Sequence, residues 1–204
     1  MKRIANTESF LSLFLAPWTM RRLHSLVLIA SFFLHPSISY TQQRNASEYE
    51  VKATYLYNFG RFVHWSADAS FAKNESFPIC VIGQDPFGIT LDSILSGETI
   101  EGRPVVAKRV SKPQDALGCR ILYISLSENA RLKETLAGLD KAGVLTVSDI
   151  PQFSERGGMI QFVLVGNKIR FEVNLTSTRD AGLTMSSDLL KVATAVRKFP
   201  QPGD

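Results

Sequence analysis

Residues 78–82, 120–125 and 144–147 are short apolar runs, each too short for a helix and each separated from the next by segments of helical period. A run of that length between turn residues is the pattern of a strand buried on both faces. A further strand, 105–110, follows Gly102-Arg103-Pro104. Between the strands, Asp85-Pro86 reads as a cap with proline at the first helical position. It opens a helix through Ile89, Leu91, Ile94 and Leu95 that Gly97 stops. A second capped helix is expected over 127–139, ahead of Gly143. Strands alternating with helices imply a mostly parallel sheet covered on both faces.

The flanking segments add to this frame. Ser47 reads as an N-cap, with Glu48 and Glu50 in a first turn where the helix dipole favours acids. Val51, Tyr55, Phe59 and Phe62 recur at helical spacing, widened by Leu56 and Val63, and predict a core-packing helix to about Trp65. Residues 159–165 and 169–174 are β-rich and flank Gly166-Asn167-Lys168, a three-residue turn, so a β-hairpin makes the sheet mixed. From Thr176 the chain carries Leu183, Met185, Leu189, Leu190, Val192, Ala193 and Val196, a helical pattern with a break near 184–187. The fold expected is α/β: a mixed, mostly parallel sheet with helices on both faces, ending in a β-hairpin and a helix.

The N-terminus reads as an export signal. Arg21 and Arg22 precede about a dozen mostly apolar residues, Pro36 breaks the run, and Ser37-Ile38-Ser39 places small residues at the positions a signal peptidase reads. The apolar stretch is shorter than the ~20 residues of a membrane-spanning helix. Residues 1–39 are thus expected to be a signal peptide and 40–204 a single domain. A second apolar patch at 10–18, ahead of the arginines, suggests that translation starts at Met20. Residues 1–39 hold four of the 23 Lys and Arg and one of the 19 Asp and Glu, so the remainder is close to neutral. The basic isoelectric point therefore belongs largely to the leader, and Lys108-Arg109 with Lys112 is too short a basic cluster for a nucleic-acid footprint.

Two cysteines, Cys80 and Cys119, are an even count in an exported chain, for which a disulfide is the default and two buried free thiols the alternative. Were their apolar runs neighbouring parallel strands, the sulfurs could meet at one end of the sheet. His64 is the one histidine after residue 39, which leaves no three-histidine zinc site. The nucleophile-elbow, P-loop, zincin and dinucleotide-binding motifs are absent from the sequence. Gly157-Gly158 precedes a strand, whereas a phosphate loop follows one. Asp149, Glu155 and Asp180 lie near loops, and nothing in their spacing pairs two carboxylates for acid–base work. Neither an enzyme nor a cofactor or metal site is expected.

Several segments, in order over nearly all of 48–198, resemble the YfiR family of bacterial periplasmic proteins. They are residues 51–59 (Val-Lys-Ala-Thr-Tyr-Leu-Tyr-Asn-Phe), the Cys80 and Cys119 strands, and 144–149 (Val-Leu-Thr-Val-Ser-Asp). Gly157-Gly158-Met159-Ile160, residues 169–174 (Ile-Arg-Phe-Glu-Val-Asn) and Ala181-Gly182-Leu183 with 186–190 complete the series. The resemblance implies a periplasmic, non-enzymatic protein that inhibits an inner-membrane diguanylate cyclase by binding its periplasmic sensor domain. An outer-membrane lipoprotein can sequester such proteins, releasing cyclic-di-GMP synthesis and biofilm formation; a homodimer is compatible with this, and no nucleic acid is implied. Cys80 and Cys119 correspond to a disulfide pair of the family. A second cysteine pair found in some members is missing here, and His64 and Ser66 stand where an acid and a proline are expected. The competing readings are a periplasmic small-molecule sensor, because α/β sheets form clefts at strand ends, and a hydrolase acting through His64.

Overall fold

The computed structural model describes residues 40–65 and 76–198, with side chains from Glu48 onward. The expected signal peptide, residues 1–39, lies outside the described residues, as do the start at Met20 and Ser66.

A long first helix, α1 (Tyr40–Phe62), leads into β1 (Val63–Trp65). The central run is β2 (Phe77–Ile82), α2 (Ile89–Leu95), β3 (Thr99–Ile100), β4 (Arg103–Val110), β5 (Ile121–Ile124), α3 (Leu132–Ala137) and β6 (Leu145–Ser148). The chain continues through β7 (Ile160–Val165), β8 (Lys168–Asn174), α4 (Leu175–Asp180), β9 (Leu183–Met185), α5 (Ser187–Val192) and β10 (Ala195–Arg197). Eight strands form one sheet in the order β10-β8-β7-β6-β5-β2-β4-β3. Its centre, β7-β6-β5-β2-β4, is parallel, and the β7–β8 and β4–β3 pairs are antiparallel. The α/β architecture is therefore the one the sequence predicts.

Alternation along the central strands splits the core into two layers. Ile79, Val81, Ile121, Tyr123, Leu145 and Val147 face a layer shared with α1, α2 and α5. Cys80, Ile82, Leu122 and Ile124 face the opposite layer with Leu132, Leu139, Ile150 and Phe153. This two-sided burial is why the strands read as continuous apolar runs rather than alternating ones. Cys80 and Cys119 form a disulfide with Cα atoms 6.0 Å apart. Cys80 lies within β2 and pairs with Leu122, while Cys119 sits two residues ahead of β5. The two strands are neighbours and parallel, and the bridge lies on one face of the sheet, reached from the amino end of β5.

Several boundaries differ from expectation, each for a local physical reason. α1 starts at Tyr40 and Ser47 lies inside it, because residues 40–47 contain no glycine or proline to stop propagation. It ends at Phe62, since Val63, His64 and Trp65 pair antiparallel with Met185, Thr184 and Leu183. The break expected near 184–187 is thereby the strand β9. Val196 belongs to β10, an edge strand parallel to β8, not to a helix. Asp85 does not cap α2: its Oδ1 accepts from Phe87 N at 2.8 Å, and Gly88 at φ 53° stands before the helix. The helix expected over 127–139 winds first as a 3-10 segment, Leu126–Arg131, before α3. The hairpin turn is two residues long, with Gly166 at φ 53° and Asn167 at φ 61°, and Lys168 already pairs with Val165. Two positive φ values define the turn whose twist matches that of paired strands.

Gly158 has a packing role. Its N–H donates to Phe153 O at 2.8 Å, and a Cβ there would overlap the Phe153 ring, which is fully buried. Gly158→Ala is expected to cost about 1–3 kcal/mol, the usual range for overpacking, measured as a lower midpoint in urea at unchanged slope.

Candidate functional site

The buried stripe of α1 is Lys52, Ala53, Leu56 and Phe59. It shares Phe59 and Leu56 with the predicted stripe, but is rotated away from Val51 and Phe62 toward Lys52 and Ala53. Val51 is 41% exposed and Phe62 37%. The rotation has two consequences: a lysine enters the interior, and an apolar flank of α1 is left facing outward.

Lys52 is 2% exposed and is held by two carboxylates. Its Nζ lies 2.6 Å from Glu48 Oε1, one helical turn back, and 2.6 Å from Asp149 Oδ2, just past the carboxyl end of β6. The Tyr49 hydroxyl donates to the same Asp149 oxygen at 3.2 Å, and Lys52 Nζ stands 4.3 Å from the centre of the Tyr49 ring. Tyr49 packs edge-on against Phe87, and Phe87 edge-on against the fully buried Tyr123. The Tyr123 hydroxyl and Asp149 Oδ1 are buried without a hydrogen-bond partner among the described residues. Beside the pair a cleft of about 220 Å³ is lined by Glu48, Lys52, Leu126, Asp149, Phe162 and Leu164 among others.

Burial alone would pull the Lys52 ammonium down, but its hydrogen bond to Asp149, the Asp149 charge and the bond to Glu48 outweigh it. The net shift is upward. Burial, reinforced by the Asp149 charge, also pushes the Tyr49 and Tyr123 phenols up. A lysine held as ammonium is a poor nucleophile or base, the opposite of the lowered value such roles need. All three groups keep their protons in the folded chain at pH values where the unfolded chain has lost them. Their contribution is complete below about pH 10 and is lost as the pH rises further. For Tyr123 the limiting slope is about 1.4 kcal/mol per pH unit. Urea titrations from pH 8 upward should show this stability staying level to about pH 10 and falling beyond it, with a shallower fall in Tyr123→Phe; equal slopes would remove Tyr123 from the account.

The other residues singled out in the sequence are dispersed. His64 lies exposed on β1 opposite Thr184, with no side-chain hydrogen bond or ion pair among the described residues. Glu155 is exposed in the turns before β7, and Asp180 ends α4 beside a depression shared with Lys141. Arg109 is engaged by Asp85 and Asp92, at 2.8 and 2.7 Å, and by Gly88 O. Among the described residues no cluster of His, Cys, Asp and Glu could hold a metal, and no helix is long and apolar enough to cross a membrane. Lys52 is the residue that sequence reasoning missed. The available signal was the Glu48–Lys52 i,i+4 pair, with Leu56, Phe59 and Val63 continuing from Lys52 at helical spacing.

Outside this pair, the notable surface is apolar. Tyr55, Phe59, Phe62, Phe171, Leu189 and Val192 line an open cleft of about 340 Å³ between α1 and α5. A further cleft of about 410 Å³ lies between α1 and the β7–β8 hairpin. The domain is thus an α/β fold with one lysine held between two carboxylates in its interior and open clefts along its first helix. More particularly, the chain belongs to the YfiR/HmsC-like family, whose sequence profile matches residues 49–194. That family is one of periplasmic, regulatory, non-enzymatic proteins associated with diguanylate cyclases. Among solved structures, a conserved domain protein from Vibrio cholerae O1 biovar El Tor is similar at 13% identity and TM-score 0.45, over 59% of this chain and 54% of that one. The ABC domain from Streptococcus pneumoniae in complex with L-Trp is similar at 9% identity and TM-score 0.43, over 59% and 55%. The chain therefore spans about half the length of each.

Proposed function

We propose that this protein inhibits an inner-membrane diguanylate cyclase by binding its periplasmic sensor domain, and that an outer-membrane lipoprotein relieves the inhibition by sequestering it. The family match over residues 49–194 carries this reading. The open apolar clefts beside α1 support it, because a contiguous exposed apolar surface marks an interaction site. A small-molecule sensor is less favoured, since both carboxylates lining the cleft beside Asp149 are already engaged by Lys52. Deleting the gene should raise cellular cyclic-di-GMP and surface attachment, and expression of the exported chain should restore both. Unchanged cyclic-di-GMP in the deletion strain would overturn the assignment.

A further inference from the structure

The inner face of the β7–β8 hairpin carries a ladder of apolar cross-strand pairs: Ile160 with Val173, Phe162 with Phe171, and Leu164 with Ile169. The first two pairs are buried, and α1 covers the second through Tyr55 and Phe59, whose rings lie 5.1–5.9 Å from those of Phe162 and Phe171. The third pair extends past that cover. Leu164 is 55% exposed, and Leu164 and Ile169 open with Val51 into the cleft of about 410 Å³. Leu126, on the adjoining cleft that Leu164 and Ile169 also line, is exposed as well. The apolar surface is therefore contiguous rather than scattered.

Charge selects the occupant. Lys168 and Arg170 line the same cleft, both exposed, and neither has a carboxylate partner among the described residues. The one acid at its edge, Glu48, shares Lys52 with Asp149, so the two cations outnumber the acid along the lining. Arg109 and Arg197, by contrast, are each held by an acid of this chain. An apolar cleft bordered by two uncommitted cations complements a partner segment with apolar side chains flanked by acids. We infer that the cleft between α1 and the β7–β8 hairpin is a docking site for an acidic, apolar segment of a partner protein. This rests on the reading that the protein works by binding another protein, and it assigns the surface used.

A photoreactive phenylalanine analogue placed at Leu164 of the full chain, in cells, tests it, with the same analogue at Ile89 as the exposed apolar control. Capture at Leu164 and not at Ile89, through a segment that mass spectrometry shows to be acidic and apolar, is the expected result. The captured domain, purified, should then bind Lys168→Glu/Arg170→Glu about tenfold or more weakly, as charge reversal at a complementary interface requires. The melting temperature of that variant should be unchanged, since both side chains are exposed. Capture of a second copy of this chain, capture of a basic segment, no capture at Leu164, or an unaltered Kd in the charge-reversed variant each overturns the inference. Capture of an acidic, apolar segment from a protein that is neither a cyclase nor an outer-membrane lipoprotein leaves the docking site standing and removes the proposed function instead.

Discussion

Lys52→Met is expected to destabilise the protein by about 3–5 kcal/mol, the usual cost of removing one partner from a buried ion pair. The substitution keeps length and most of the packing, so the loss falls on electrostatics. What remains is the Asp149 carboxylate, 16% exposed at its side chain, with only the Tyr49 hydroxyl at 3.2 Å donating to it. Its other oxygen is buried without a partner among the described residues. Glu48 suffers less, because its side chain is 29% exposed and can turn to water. For a domain of this size, each kcal/mol shifts the midpoint by about 2–4 °C, so a fall of roughly 6–20 °C in a circular-dichroism melt is expected. The double variant Lys52→Met/Asp149→Leu should recover much of that loss, because it removes the stranded charge and places an apolar side chain beside Phe162 and Leu126. Strictly additive losses would show that Lys52 contributes packing and not charge compensation.

The same pair marks the limit of what the sequence made legible. Local periodicity identified β2, β4, β5 and β6, the hairpin and the helices α1, α2 and α3, because buried strands leave apolar runs and turn chemistry is local. It did not identify β1, β9 or β10, whose three-residue spans are held by partners far along the chain: Val63 pairs with Met185, and Val196 with Val173. Lys52 was missed for a related reason. Its counter-ion Asp149 lies 97 residues away, and a lysine on an otherwise apolar helical stripe reads as an edge residue when Val51 and Tyr55 offer a more apolar alternative. Asp149 was noticed but looked unpaired, because a spacing rule for carboxylates does not register a lysine on another element. The docking cleft was equally hidden. Leu164 and Ile169 look like any strand residues until the pairing register shows α1 covering Phe162 and Phe171 but leaving the next pair open.

Cys80→Ala/Cys119→Ala is the second large effect expected. The bridge closes a loop between residues 39 apart, which in the chain-entropy model is worth about 4 kcal/mol against the unfolded state. Alanines at two buried positions leave small voids, adding to that loss rather than offsetting it. Cys80 is 0% and Cys119 4% exposed, so a reductant should act slowly on the folded protein and readily in urea. With no further cysteine in the sequence, wild type that has been unfolded, reduced and refolded under reductant should melt close to the double variant. Agreement between the two would assign the loss to the bridge, and a variant as stable as the oxidised wild type would refute the loop-closure account. The bridge packs on the face of the sheet opposite to the layer that α1 covers. At temperatures where the variant stays folded, binding at the α1–hairpin cleft should therefore match wild type, and it should disappear only on melting. Weaker binding by the folded variant would mean that the bridge also shapes the opposite face.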